Sequence, residues 1–159
     1  MKFKSLEDIK EAGFTGFKTV AQLQNAGCSA IPEAGGVYMI LRAENVKPQF
    51  LAKGTGGYFQ AKNPNVAISE LQSNWVEDTV CVYIGKATTL NKRIHLYMRF
   101  GAGANVGHYG GRYIWQLADS KSLIVCWKRT KEDPREAESA LIEEFREQYG
   151  VRPFANLVD

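Results

Sequence analysis

Residues 80–97, VCVYIGKATTLNKRIHLY, begin as a strand and end as a helix. The first part, VCVYIGKA, is mostly apolar, β-branched or aromatic, as suits a buried strand. After Gly85-Lys86 the apolar residues recur at helical spacing, and Leu90, Ile94 and Met98 share one stripe. Arg93 and Tyr97, one turn apart, border that stripe and lean toward the end of the preceding strand. An arginine offers a planar, permanently charged fork suited to phosphate oxygens, and a tyrosine offers a hydroxyl. A plain strand-to-helix connection requires neither. Taken alone, the pair also fits the polar rim of an ordinary amphipathic helix.

On both sides of this stretch the chain alternates helical and extended signals. Ser5 caps a short helix that Gly13 stops; Thr19 with Gln22 reads as a capping box for a second helix, ended by Gly27. The turn-rich IPEAGG then leads into a strand, VYMILRA. SLIVCWKRT is another strand, and DPREAESALIEEFREQYG is a helix with Asp133 as cap, Pro134 in the first position and Gly150 as terminator. Between helix and strand lies a glycine-rich loop, GAGANVGHYGGR, followed by YIWQL, whose type the pattern leaves open. VRPFANLVD is an extended tail. Residues 44–79 have Gly and Pro clusters and no sustained period, and read as a long irregular insertion with a short hairpin around Gly56-Gly57. Loops this long inside a domain are often functional. Three strands with helices between and after them predict an α/β layer fold.

With 159 residues, 45% of them hydrophobic, the chain fits one domain with a real core. No stretch is long and apolar enough for a membrane span, and MKFKSLEDIK lacks the apolar core of a signal peptide. Cys28, Cys81 and Cys126 are odd in number and far apart, and read as small buried hydrophobes in a reducing cytoplasm. No Cys/His cluster has zinc spacing. The expectation is a cytoplasmic protein with no membrane partner. The net charge of +3 is unevenly spread: residues 1–80 sum to zero, residues 81–135 to +7 and residues 136–159 to −4. A basic middle segment is the footprint of a polyanion partner, and on charge alone it is equally an ordinary solvated surface.

The last helix holds an anomaly. At 100° per residue Ala137, Leu141, Ile142, Phe145 and Tyr149 form one stripe, and Glu138 falls inside it. A carboxylate facing a core costs several kcal/mol unless it is paired or bound to a cation. The readings that remain open are a buried pair with an arginine, a glutamate snorkelling near the helix start, or a metal ligand at the edge of the core. Trp75, Trp115 and Trp127 read as core residues.

The ordered set of these residues resembles the GIY-YIG nuclease family. Gly36-Val37-Tyr38 and Tyr83-Ile84-Gly85 look like its two paired motif strands, and Lys86 resembles the lysine after the second motif in the excision-repair branch. Arg93 matches the helix arginine, Tyr97 a position that is tyrosine or histidine, Glu138 the metal-binding glutamate and Asn156 in RPFAN the terminal asparagine. The resemblance covers roughly residues 35–157. Two departures stand out. The motif tyrosines are 45 residues apart where the family has a short turn, so residues 44–79 are an insertion; residues 1–34 also lie outside the family core.

The resemblance implies a small three-stranded antiparallel sheet flanked by helices over residues 35–159, preceded by an N-terminal helical extension, residues 1–34. It implies a metal-dependent endonuclease hydrolysing DNA, with Tyr38, Tyr83, Lys86, Arg93, Tyr97 and Asn156 as its catalytic set and Glu138 holding Mg2+ or Mn2+. Tyr38 is the expected general base and Lys86 its helper; Arg93 neutralises phosphoryl charge, Tyr83 and Tyr97 orient water and phosphate, and Asn156 fixes the site. His108 and Arg112, in the glycine-rich loop, are candidate phosphate contacts, with Gly110-Gly111 allowing close backbone approach. The rival is a nucleic-acid-binding module that kept the fold without catalysis. A basic protein-interaction domain explains the charge but not Glu138.

Overall fold

In the computed structural model, which describes residues 1–157, local signals set most element boundaries. Helix α1 (Leu6–Glu11) opens at Ser5, whose hydroxyl accepts from the Asp8 N–H while the Asp8 carboxylate accepts from the Ser5 N–H. Strand β1 (Thr15–Thr19) runs into helix α2 (Val20–Ala26), which has the expected Thr19–Gln22 capping box and ends at Gly27. Strand β2 (Gly36–Leu41), helix α3 (Ile68–Asn74), strand β3 (Cys81–Ala87) and helix α4 (Leu90–Gly101) follow. Strand β4 (Ile124–Arg129) leads to helix α5 (Pro134–Tyr149), capped by Asp133 and terminated by Gly150.

The strands form one antiparallel sheet in the order β1-β4-β2-β3. The class is α/β, as the pattern predicts, but the sheet has four strands rather than three. The additional strand comes from residues 1–34, where the sequence shows only helix signals. TGFKT is largely solvent-facing and has no apolar alternation to announce it. Its place is made by β4: a Cβ on Gly16 would stand 2.4 Å from the Trp127 ring, so the glycine lets the indole lie against the strand. A bulge at Phe17, with φ of 54°, completes the fit.

Strand alternation divides the core. Val37, Met39 and Leu41 face α1 and α5, packing with Phe3, Ile9 and Phe145. Tyr38 and Ile40 face α2 and α4, packing with Leu23, Ile94 and Tyr97. Trp115 and Trp127 are buried on that second side, and the three cysteines are buried and unpaired. Among the described residues no helix is long and apolar enough to cross a membrane.

The insertion contains no hairpin at Gly56-Gly57. It is bound instead to the connection between α4 and β4. Leu51 N–H donates to Gln116 O (2.7 Å), Thr55 N–H to Trp115 O (3.1 Å) and Gly57 N–H to Phe100 O (2.9 Å). The Gln116 side chain accepts from Val66 N–H and donates to the carbonyls of Leu51 and Val66. YIWQ, with Arg112, forms a 3₁₀ turn, Arg112–Gln116, against which the insertion lies. Backbone groups that find loop carbonyls rather than a ladder satisfy their hydrogen bonds without imposing any side-chain period.

Candidate active site

The β2–β3 register sets Tyr38 opposite Gly85. The Tyr38 ring lies directly over that glycine: an added Cβ would be 2.4 Å from Tyr38 Cζ and 2.7 Å from its hydroxyl oxygen. Gly85→Ala is therefore expected to push the phenol from its seat and to destabilise the fold by about 1–3 kcal/mol. Urea denaturation measures it, and an alanine variant as stable as the parent shows that the ring can give way freely.

Because β3 is an edge strand, the space beside its end is open to both sheet faces. A cleft of about 420 Å³ occupies it, lined by Tyr38 from β2, Tyr83 and Lys86 from β3, Arg93 from α4 and Glu138 from α5. Thr88, Asp133 and Arg135 also line it. The sequence reading missed these three; their one signal is proximity to Lys86 and Glu138 along the chain.

Glu138 is 9% exposed, and its Oε1 lies 3.2 Å from Lys86 Nζ. The buried carboxylate thus has a lysine partner, itself half-exposed on the cleft wall. Among the described residues no three His, Cys, Asp or Glu side chains are grouped to hold a metal. An ion at Glu138 would take one protein carboxylate and complete its shell with water and phosphate oxygens. That donor set fits Mg2+ or Mn2+ and does not fit a zinc or calcium cage.

Behind the cleft Tyr38 is fully buried, and its hydroxyl lies 3.0 Å from His108 Nε2. His108 Nδ1 lies 3.0 Å from Gly110 O. A carbonyl only accepts, so Nδ1 carries the proton, Nε2 is bare, and the Tyr38 hydroxyl donates to it. The sequence reading placed His108 at a phosphate; at 1% exposure it is instead a partner of Tyr38. Burial, then the charge of Arg93, lowers its pKa to about 3. Burial first, and then neighbouring Tyr83, raises the Tyr38 phenol well above its ordinary range, with Arg93 opposing. Tyr83 is pushed up to about 12, chiefly by burial, with Glu138 adding to the rise. Both phenols hold their protons at neutral pH.

The depressed histidine has a consequence for stability. Between pH 3 and the ordinary value of 6.5 the unfolded chain binds a proton at His108 that the folded chain refuses. The contribution is complete above about pH 6.5 and is lost as pH falls toward 3, with a slope of up to about 1.4 kcal/mol per pH unit. His108→Gln is expected to flatten this part of the curve. Parallel slopes for the two proteins in urea denaturation at several pH values would show that His108 is not held neutral.

Tyr97 is also fully buried. Its hydroxyl donates to Gly111 O (2.6 Å), and its ring stacks on His108 at 3.9 Å and 9°. It supports the histidine and does not line the cleft. Asn156 accepts from Ile84 N–H (3.0 Å) and donates to Ile84 O (2.9 Å), so its amide grips the outer edge of β3. Arg112 lies outside the cleft, with its guanidinium 4.3 Å from the centre of the Tyr109 ring. Comparison of the chain with family models, curated proteins and solved structures finds no match.

Proposed function

We propose that the chain is a GIY-YIG-type endonuclease that hydrolyses DNA phosphodiester bonds with the help of a divalent metal ion. One observation carries the reading: two phenols, a carboxylate and an arginine from four separate elements face one open cleft. The arginine makes no ion pair among the described residues, while Lys86, Arg42 and Lys10 each have a carboxylate partner. A guanidinium without a carboxylate partner, beside a carboxylate and hydroxyls, is suited to a phosphodiester. The resemblance of the motif residues supports the same chemistry.

Arg93 binds the scissile phosphate and neutralises charge that builds on its oxygens. Tyr38 is the general base for the attacking water. Its own proton points at His108 Nε2, which leaves an oxygen lone pair for the water, and the proton taken from water is matched by one passed to the histidine. Phosphate binding at Arg93 favours this transfer, because the arginine charge is one of the two causes of the low His108 pKa. Tyr97 holds the imidazole plane, and Asn156 holds the strand that carries Tyr83 and Lys86. Glu138 would hold Mg2+ or Mn2+, which supplies charge stabilisation to the leaving 3′ oxygen. Lys86 balances the Glu138 charge while no ion is bound, so Arg93 and His108, rather than Lys86, serve Tyr38.

Nicking of supercoiled plasmid tests the proposal. Open-circular DNA is expected with magnesium and none with chelator. A folded chain that binds the plasmid without cutting it under either condition is a nucleic-acid-binding module and not an enzyme.

A further inference from the structure

Residues 45–69 and 79–118 together carry eight lysines and arginines and not one aspartate or glutamate. These segments lie far apart in sequence, yet the structure binds them to each other through Thr55–Trp115 and Gly57–Phe100 backbone hydrogen bonds. Their shared surface holds two tyrosines fixed by a single turn. Asn65 Nδ2 donates to the Tyr58 hydroxyl (3.3 Å), and the Tyr109 hydroxyl donates to Asn63 O (2.5 Å). Tyr58 is 43% exposed.

Cations surround both rings. Lys53 Nζ is 5.9 Å from the Tyr58 centroid; Lys62 Nζ is 6.0 Å and the Arg112 guanidinium 4.3 Å from that of Tyr109. Arg112 Nε is buried and has no hydrogen-bond partner. The surface adjoins the cleft, because the loop bearing Tyr109 and Arg112 also carries His108, and a Cβ on Gly110 would lie 4.0 Å from the Tyr83 hydroxyl.

We propose that this surface binds an unpaired DNA strand next to the scissile phosphate, so that the substrate is DNA with a single-stranded branch, gap or end. The inference rests on the nuclease reading and names its substrate class. Cations alone would serve a duplex, which shows phosphates and hides its base faces. The exposed Tyr58 ring, held through its hydroxyl, adds what a duplex does not use: a planar surface on which an unpaired base stacks, while the half-buried Tyr109 ring backs the Arg112 guanidinium. Lys53 and Lys62 add positive charge beside the rings for the phosphates of a bound strand, and Arg112 adds a stacked, charged plane.

Fluorescence anisotropy with the full chain in chelator separates binding from cleavage. The probes are a thymidine oligonucleotide of about 15 residues, an abasic strand of equal length, a duplex and a uridine strand. The thymidine strand is expected to bind at least tenfold more tightly than the abasic strand and more tightly than the duplex. Tyr58→Ala and Tyr109→Ala should each reduce that preference severalfold. Lys53→Gln combined with Lys62→Gln should keep the preference and reduce the logarithmic salt slope by about 1.4. Equal binding of thymidine and abasic strands by the unaltered protein overturns the proposal without reliance on any variant. Tighter binding of duplex, or of uridine strand, overturns it as well. A chain that nicks plasmid but ignores bases keeps its nuclease assignment and loses this surface; one that prefers bases but never cuts keeps the surface and loses the nuclease.

Discussion

Glu138→Gln is expected to lower nicking with magnesium by about a thousandfold or more, to the limit of detection, while folding and DNA binding persist. The substitution keeps the shape of a side chain that is 9% exposed and removes its charge. The lysine left behind is nearly half exposed, so its ammonium stays solvated. Loss of a pair this open costs about 1 kcal/mol or less. The activity loss is much larger because Glu138 is the carboxylate proposed to hold the ion, and among the described residues no group of three His, Cys, Asp or Glu side chains stands in for it. Single-turnover nicking, Mn2+ binding without DNA and thermal melting separate the three effects. A glutamine variant that cuts at near the parent rate removes Glu138 from the metal assignment.

Arg93→Lys keeps the charge and discards the planar fork. It is expected to lower the single-turnover rate by about 30-fold or more, or about 2 kcal/mol of transition-state stabilisation. The lysine isolates geometry: a positive charge still opposes protonation of His108 and still favours a Tyr38 phenolate, as Arg93 does. Unchanged cleavage by the lysine variant would mean that Arg93 contributes only surface charge.

Glu138 was legible because a carboxylate inside an apolar stripe breaks the helix period, and the structure buries it beside Ala137 and Ile142. The flanking helices were legible from their caps. Strand β1 was not, since TGFKT owes its pairing to Trp127, far along the chain. The partnership of Tyr38 with His108 was equally hidden. It joins residues 70 apart in sequence, and nothing local distinguishes a histidine turned inward from one turned to solvent. The insertion shows the same limit. Its hydrogen bonds run to carbonyls on another segment, so periodicity had nothing to register.

The grip of Asn156 on Ile84 also bears on how separate molecules treat each other. An edge strand with free N–H and C=O groups is a template for a second chain. On β3 the Ile84 N–H and carbonyl are already engaged by the Asn156 amide, and the Val82 carbonyl accepts from Ala155 N–H. A side-chain amide takes the place that a neighbouring backbone would fill, but it cannot pass the ladder on. The contact that steadies the cleft therefore also blocks sheet growth across the β3 edge.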